Sequence, residues 1–231
     1  MAKATTTSKA VKNKKVRSAG AVRPGEAGWQ AEKSAMTRLA IMQAAVECLI
    51  ELGYTKATTS LIAEYAGVSR GAMMHHFPSR MSVISAVVGY LHDLRLKEYR
   101  ELMSGIDNPS GALTKEIIKE SVTAAWEYVN LPSFVAYQEL LAASRTDDEL
   151  KEIMAPVEKD FEKQFLKLVR GIFPHWAYTD PTVLEAAHDM VQFLMKGMSL
   201  SHMSMRREAR SQKVMEYLTL VLQQMYLEGN T

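Results

Sequence analysis

The chain has 231 residues, 47% hydrophobic and 23% charged, with a formal net charge of +2: enough apolar material for one large helical domain, or a small domain fused to a larger one, and enough charge for solubility. No apolar run reaches the ~18 residues of a bilayer span, and the lysine-rich start has no apolar stretch behind it, so neither a membrane partner nor a secretory signal is expected. Cys48 is the single cysteine, which excludes an internal disulfide and suits a reducing, cytoplasmic setting.

Charge is unevenly distributed. Residues 1–31 carry seven Lys and Arg against Glu26 alone, a net +6, which leaves the other 200 residues at −4. A basic arm on a mildly acidic body suits a polyanion partner for the arm, a solvated tail being the plainer reading. Residues 1–28, dominated by Ala, Thr, Ser, Lys and Gly, are expected to be disordered. From about residue 32 the pattern turns helical: Leu39, Met42, Val46, Leu49 and Ile50 recur at three- and four-residue steps in a first helix that ends at Gly53. A short helix is expected from Thr59, its N-cap, to about Ala66, and a second from about Arg70 to His76. Ser79 caps a long helix with Met81, Ile84, Val87, Val88, Leu91 and Leu94 on one face, which stops by Gly105 ahead of Asp107-Asn108-Pro109. Further helices are expected at about 110–130, 132–143, 148–171, 181–204 and 208–228. No useful segment alternates with period two, so the expected fold is all-α, about nine helices and no sheet.

Within residues 53–80, GYTKATTSLIAEYAGVSRGAMMHHFPSR, two short helices flank a tight turn. Gly67 supplies left-handed backbone, Val68 plugs the space between the helices, and Ser69 caps the second. Ile62, Ala66, Met73 and Phe77 point inward, while Ala63 keeps the crossing flat. This is the construction of a helix-turn-helix. Removing the core positions leaves Ser69, Arg70, Gly71, Met74 and His75 at the start and outer face of the second helix, the surface that such motifs lay in the major groove. Arg70 suits a bidentate contact to a guanine, and Gly71 keeps the surface low. Thr59, Ser60, His76 and Arg80 are placed for phosphates. His75 and His76 diverge by ~100° around a helix and cannot clamp one ion, so no metal site is expected.

Gly53-Tyr54, Thr58-Thr59, Ile62-Ala63, Ala66-Gly67-Val68-Ser69, Gly71 and His76-Phe77 followed by Arg80 together resemble the DNA-binding region of the TetR family, over about residues 35–90. Two positions depart from it. Met74 stands where the family usually carries an aromatic residue, often Tyr, which removes a phosphate hydrogen bond; Arg80 stands where Lys is common and keeps the charge. The resemblance implies a three-helix DNA-binding domain over 32–80 and a larger effector-binding and dimerisation domain over 81–231. It implies a homodimer on a palindromic double-stranded DNA operator and repression relieved by a small-molecule effector, with a ligand-responsive activator or dual regulator as the alternative.

The last two helices carry stripes that suit dimerisation: Val183, Ala187, Met190, Leu194, Gly197 and Ser201 on one, Val214, Leu218, Val221 and Met225 on the other. Two such helices from each subunit make a four-helix bundle; packing within the monomer is the competing reading. For an effector, the Met- and aromatic-rich body offers Trp126, Tyr137, Phe165, His188 and Gln192 as pocket candidates, suited to an apolar or amphipathic ligand. A satisfied core histidine is the plainer reading of His188. There is no Gly-rich phosphate loop, no HExxH and no nucleophile elbow, so no enzyme, catalytic residue or cofactor is expected. A non-specific DNA coat would need a broad basic surface that a +2 chain does not offer.

Overall fold

The computed structural model describes residues 24–108, 112–174, 181–205 and 208–229. These form nine helices with no strand among the described residues: α1 (Pro24–Leu52), α2 (Thr59–Tyr65), α3 (Arg70–His76), α4 (Arg80–Ser104), α5 (Lys115–Val129), α6 (Pro132–Ala143), α7 (Asp148–Ile172), α8 (Pro181–Met205) and α9 (Glu208–Glu228). The basic arm lies outside the described residues up to 23. From 24 onward the expected disorder is corrected, because α1 already runs from Pro24, and proline is at home in a first helical turn.

Met1–Thr37 form a unit of their own. In its described part the Lys33 ammonium lies 5.2 Å from the Trp29 ring centroid, and the Thr37 hydroxyl donates to the Lys33 carbonyl at 2.9 Å. Arg38–Thr231 form the second unit, which holds everything described below.

Helix starts follow from short polar side chains that take up orphan N–H groups. Ser69 accepts from Ala72 N–H at 3.1 Å to start α3, and Ser79 and Ser82 cap each other's backbone at the start of α4. Thr114 caps α5 through Ile117 N–H, which places its start at Lys115 rather than near 110. At α2 the expected N-cap moves by one residue: Thr58 holds the extended backbone and accepts from Leu61 N–H, while Thr59 is the first helical residue. Gly53 and Gly67 end α1 and open the α2–α3 turn at φ 78° and 63°, where a β-carbon costs roughly 1–2 kcal/mol.

The second unit buries two apolar clusters that meet along α4. The first joins α1, α2 and α3 to Val83, Ile84, Val87, Val88 and Leu91 of α4, with Tyr137 and Leu140 of α6 and Leu150 and Met154 of α7. The second starts at Leu96 and joins the rest of α4 to α5, to Phe134, to Phe161 and Phe165 of α7, and to the inner faces of α8 and α9. The packing therefore changes hands between Leu91 and Leu96, inside the helix, and the first turns of α4 belong to the head they follow. On α1 the buried face is Ile41, Ala44, Ala45, Cys48 and Leu49; Leu39 and Ile50, expected on it, are 40% and 38% exposed. Cys48 is fully covered, and burial pushes its thiol up to about 11, the state of an inert small hydrophobe.

Candidate functional site

The turn between α2 and α3 is closed by backbone bonds from Gly67 N–H to the Glu64 carbonyl and from Val68 N–H to the Ala63 carbonyl, both at 3.0 Å. Ile62, Ala63, Met73 and Phe77 are buried beneath it. What remains outside is the expected set: Ser69, Arg70, Gly71, Met74 and His75 are all exposed. A β-carbon at Gly71 would meet nothing nearer than the Ser69 hydroxyl at 3.9 Å, so the fold does not require glycine there. Ser60 is exposed, and Thr59 and His76 are half-buried. The His75 and His76 rings meet edge-on at 5.4 Å, and no cluster of three metal-ligating side chains occurs among the described residues.

In Arg80, Nε donates to the Ala57 carbonyl at 2.8 Å, Nη2 donates to the Tyr54 carbonyl, and the guanidinium lies 4.0 Å from the Tyr54 ring centroid. With Nε and Nη2 engaged by the loop before α2, the half-buried side chain braces α4 against that loop. Tyr54 passes the connection on: its N–H donates to Glu139 of α6 at 3.2 Å and its hydroxyl to Asp147, the cap of α7, at 2.7 Å. The Tyr54 hydroxyl, and then Leu150 N–H, hold the Asp147 carboxyl below its usual range. Sequence reasoning missed Arg38. It lies on α1, 4.1 Å from the Phe77 ring centroid, and donates from Nη1 to the His76 carbonyl at 3.2 Å, which puts an exposed cation at the C-terminal end of α3. Nothing local to residue 38 signals this.

Further along the second unit, a cavity of about 90 Å³ is walled by Tyr99, Ser121, Phe165, Leu184, His188 and Gln192 among others. Three of the five expected pocket residues, Phe165, His188 and Gln192, are thus brought together. Trp126 and Tyr137 are not. Trp126 packs half-buried against the second cluster. Tyr137 sits in the first, its ring covered by Arg95 at 3.4 Å and its hydroxyl donating to Glu158. Tyr99 was missed because it reads simply as one more apolar position of α4.

His188 packs 5.0 Å from Phe165, and burial pushes its pKa down to about 4, against a smaller upward pull from Asp189. It is therefore neutral near pH 7, with one ring nitrogen donating and the other accepting. Unfolded, the ring titrates near 6.5, so the unfolded chain takes up the proton first as pH falls. The contribution of the neutral ring to stability is complete above pH 6.5 and is lost on the way down to 4. Denaturant midpoints should accordingly fall more steeply across this window in the unaltered protein than in His188→Gln; parallel curves would show that the ring is not desolvated.

Residues 41–87, from the buried half of α1 into the first turns of α4, match the family described as bacterial regulatory proteins, tetR family. The chain belongs to the TetR family of transcriptional regulators. An uncharacterized HTH-type transcriptional regulator of Mycobacterium tuberculosis is 27% identical over 145 residues, covering 62% of this chain and 71% of that one. The HTH-type transcriptional repressor BepR of Brucella suis is 32% identical over 95 residues, covering 41% and 44%. The crystal structure of the multidrug binding protein EbrR complexed with ethidium shares the fold, with a TM-score of 0.57 at 17% identity across 82% of this chain and 98% of that one. The fold is thus all-α, with the helix-turn-helix in its N-terminal part. Among the described residues no helix is long and apolar enough to cross a membrane.

In this TetR-family chain the stripes expected on the last two helices divide. Ala187 and Leu218 are corrected as interface residues: at 1% and 3% exposure the monomer already covers them, one as a cavity wall and the other in the second cluster. Val183, Leu194, Val214 and Met225 are half-buried, whereas Met190, Gly197, Ser201 and Val221 are exposed. The outward stripe runs through Met190, Phe193, Gly197, Leu200 and Ser201 on α8 and through Tyr217, Leu220, Val221 and Leu227 on α9. Phe193, Leu200 and Tyr217 are 71%, 57% and 60% exposed. The outward face is thus turned by one residue from Leu194 to Phe193.

Proposed function

We propose that this TetR-family regulator is a cytoplasmic repressor that grips a palindromic double-stranded DNA operator as a homodimer and releases it when a small apolar or amphipathic effector enters the cavity bounded by Tyr99, Phe165 and His188. One observation carries the DNA reading: Ser69, Arg70, Gly71, Met74 and His75 are exposed at the start and along α3, which packs into the core through Met73. Arg70 reads a base edge, Gly71 lets the backbone approach the groove, and Ser60, Thr59 and His76 meet phosphates. Arg38, exposed at the end of α3, adds a phosphate contact beside Arg80. Residues 32–80 serve DNA, and 81–231 serve the effector and the second subunit. No residue is assigned to catalysis and no cofactor is needed.

Repression is preferred because BepR is a named repressor, and a ligand cavity is supported by the ethidium complex of EbrR, which shares the fold. The dimer is supported by the outward apolar stripe of α8 and α9, which a second copy covers by twofold symmetry. Release follows from connections within the second unit. A ligand in the cavity presses on Tyr99 of α4 and Phe165 of α7; α7 is capped by Asp147, which accepts from the Tyr54 hydroxyl, and α4 starts at Arg80, which donates to the Tyr54 carbonyl. The ligand weakens operator binding only by its own preference for the displaced arrangement.

In vitro selection from a random duplex pool tests this reading. The expected product is one sequence family with two inverted half-sites, whose spacing reports the separation of the paired α3 helices. A pool with no shared sequence, or a single half-site without a mate, overturns it.

A further inference from the structure

The walls of the cavity decide what charge a guest can carry. Among the described residues that line it there is no Asp, Glu, Lys or Arg; the polar side chains are Tyr99, Ser121, His188 and Gln192, and the rest are apolar. The His188 ring is neutral near pH 7, burial having pushed its pKa down to about 4. Arg95, a buried charge of the same unit at 3% exposure, is not a wall residue: it faces Glu158 at 3.7 Å and the Tyr137 and Phe161 rings. An ion of either sign would therefore give up its hydration in the cavity and find no counter-charge, a cost that a neutral guest avoids.

The same walls give a neutral guest two kinds of contact. The Tyr99 and Phe165 rings meet at 4.3 Å, tilted by 47°, and Phe165 meets His188 at 5.0 Å. Rings from α4, α7 and α8 thus form one continuous aromatic wall, against which another ring gains offset or edge-on contacts. His188 and Gln192 stand one turn apart on α8, and both line the cavity, so they share a helix face. A neutral imidazole offers one donor and one acceptor, and the amide offers both. Among the described residues neither side chain finds a hydrogen-bond partner, so a guest that sealed them off without answering them would pay for it. Ser121 already donates to the Ile117 carbonyl at 2.7 Å and keeps acceptor capacity. Size sets the last limit. About 90 Å³ is less than the ~150 Å³ that takes up benzene in an apolar core, so a single ring fits only by pressing the walls outward.

We propose that this cavity is a site for a neutral, one-ring aromatic molecule with a single hydroxyl, carbonyl or amide group, its ring against Tyr99 and Phe165 and its polar group between His188 and Gln192. This names the chemical class of the effector and, in that one respect, rests on the effector reading above. The tightness of the fit is what gives such a molecule a preference between two arrangements of α4 and α7.

Titrations of the full chain near pH 7, followed by NMR, test the class with a matched set: neutral benzyl alcohol and benzamide against benzoate and benzylammonium, with toluene as the apolar reference. At least one of the two neutral polar compounds is expected to bind about ten-fold or more tightly than either ion. Gln192→Leu, and His188→Phe with its ring kept against Phe165, should each lower the affinity of that compound relative to toluene by about three-fold or more. If one variant fails to fold by circular dichroism, the other answers the question. No binding of either neutral compound, an ion that binds within a few-fold of them, or an affinity relative to toluene that survives these substitutions each overturn the proposal. A neutral compound that binds with the expected preference yet leaves operator DNA in place keeps the site and removes the effector reading; a chain that binds no DNA removes the regulator reading alone.

Discussion

Arg70→Ala is expected to weaken binding to the selected operator at least thirty-fold while leaving affinity for random duplex within a few-fold. The magnitude follows from a bidentate arginine–guanine contact, ~1–3 kcal/mol of discrimination in each half-site and so roughly 2–6 kcal/mol for a dimer that makes it twice. The selectivity follows from where Arg70 stands. It is exposed at the first turn of α3, behind the Ser69 cap, with Met73 and Phe77 taking the inward positions of the same helix. Removing it takes nothing from the core, so melting temperature should stay within one or two degrees. Gel shifts against operator and against scrambled duplex, at one fixed salt concentration, separate a lost base contact from lost general attraction. Equal losses on both duplexes would place Arg70 on the phosphates; no loss on either would take α3 out of the groove.

The head was legible because its physics is local. Gly67 must turn left-handed, Ser69 and Ser79 must cap, and the inward positions of two short helices are spaced by the helical repeat. Local chemistry also explains the near misses. Thr58 and Thr59 are both competent caps, and it is the extended backbone at Thr58 that decides between them. The contacts of Arg38 and Arg80 escaped the sequence for a non-local reason. A basic side chain after a helix-turn-helix does not show that Tyr54 lies beneath it, and Arg38 looks like a solvated helix residue until Phe77, far along the chain, comes to rest under it. Spacing alone cannot register such contacts. The body was less legible for a related reason. α8 carries apolar residues on its inner and its outer face, so periodicity alone does not tell Phe193, facing out, from Leu194, packed in. Arg95 was invisible: on a helix wheel a buried guanidinium is indistinguishable from an exposed one.

Phe193→Glu and Leu220→Glu should each give a folded monomer whose operator affinity falls by two orders of magnitude or more. Both side chains face out of the subunit, 71% and 46% exposed, on adjoining helices whose inner faces supply the second core cluster. In a twofold interface each substitution enters twice. Every dimer thus loses two large apolar anchors, ~1.5–3 kcal/mol apiece if fully buried, and gains two carboxylates in apolar surroundings. Once the subunits part, the second half-site is no longer engaged at the high effective concentration that linkage provides, a factor of about 10² to 10⁴. Leu218→Ala supplies the contrast. Leu218 lies one helical step from the outward stripe but is 3% exposed inside the subunit, so the substitution should lower stability by about 2–5 kcal/mol and leave the association state as it was. Sedimentation at micromolar concentration, paired with gel shifts, reads all three. If the two glutamate variants sediment as dimers, or if Leu218→Ala alone yields the monomer, then the subunits meet on some other face, and the separation of the two α3 helices has to be sought there.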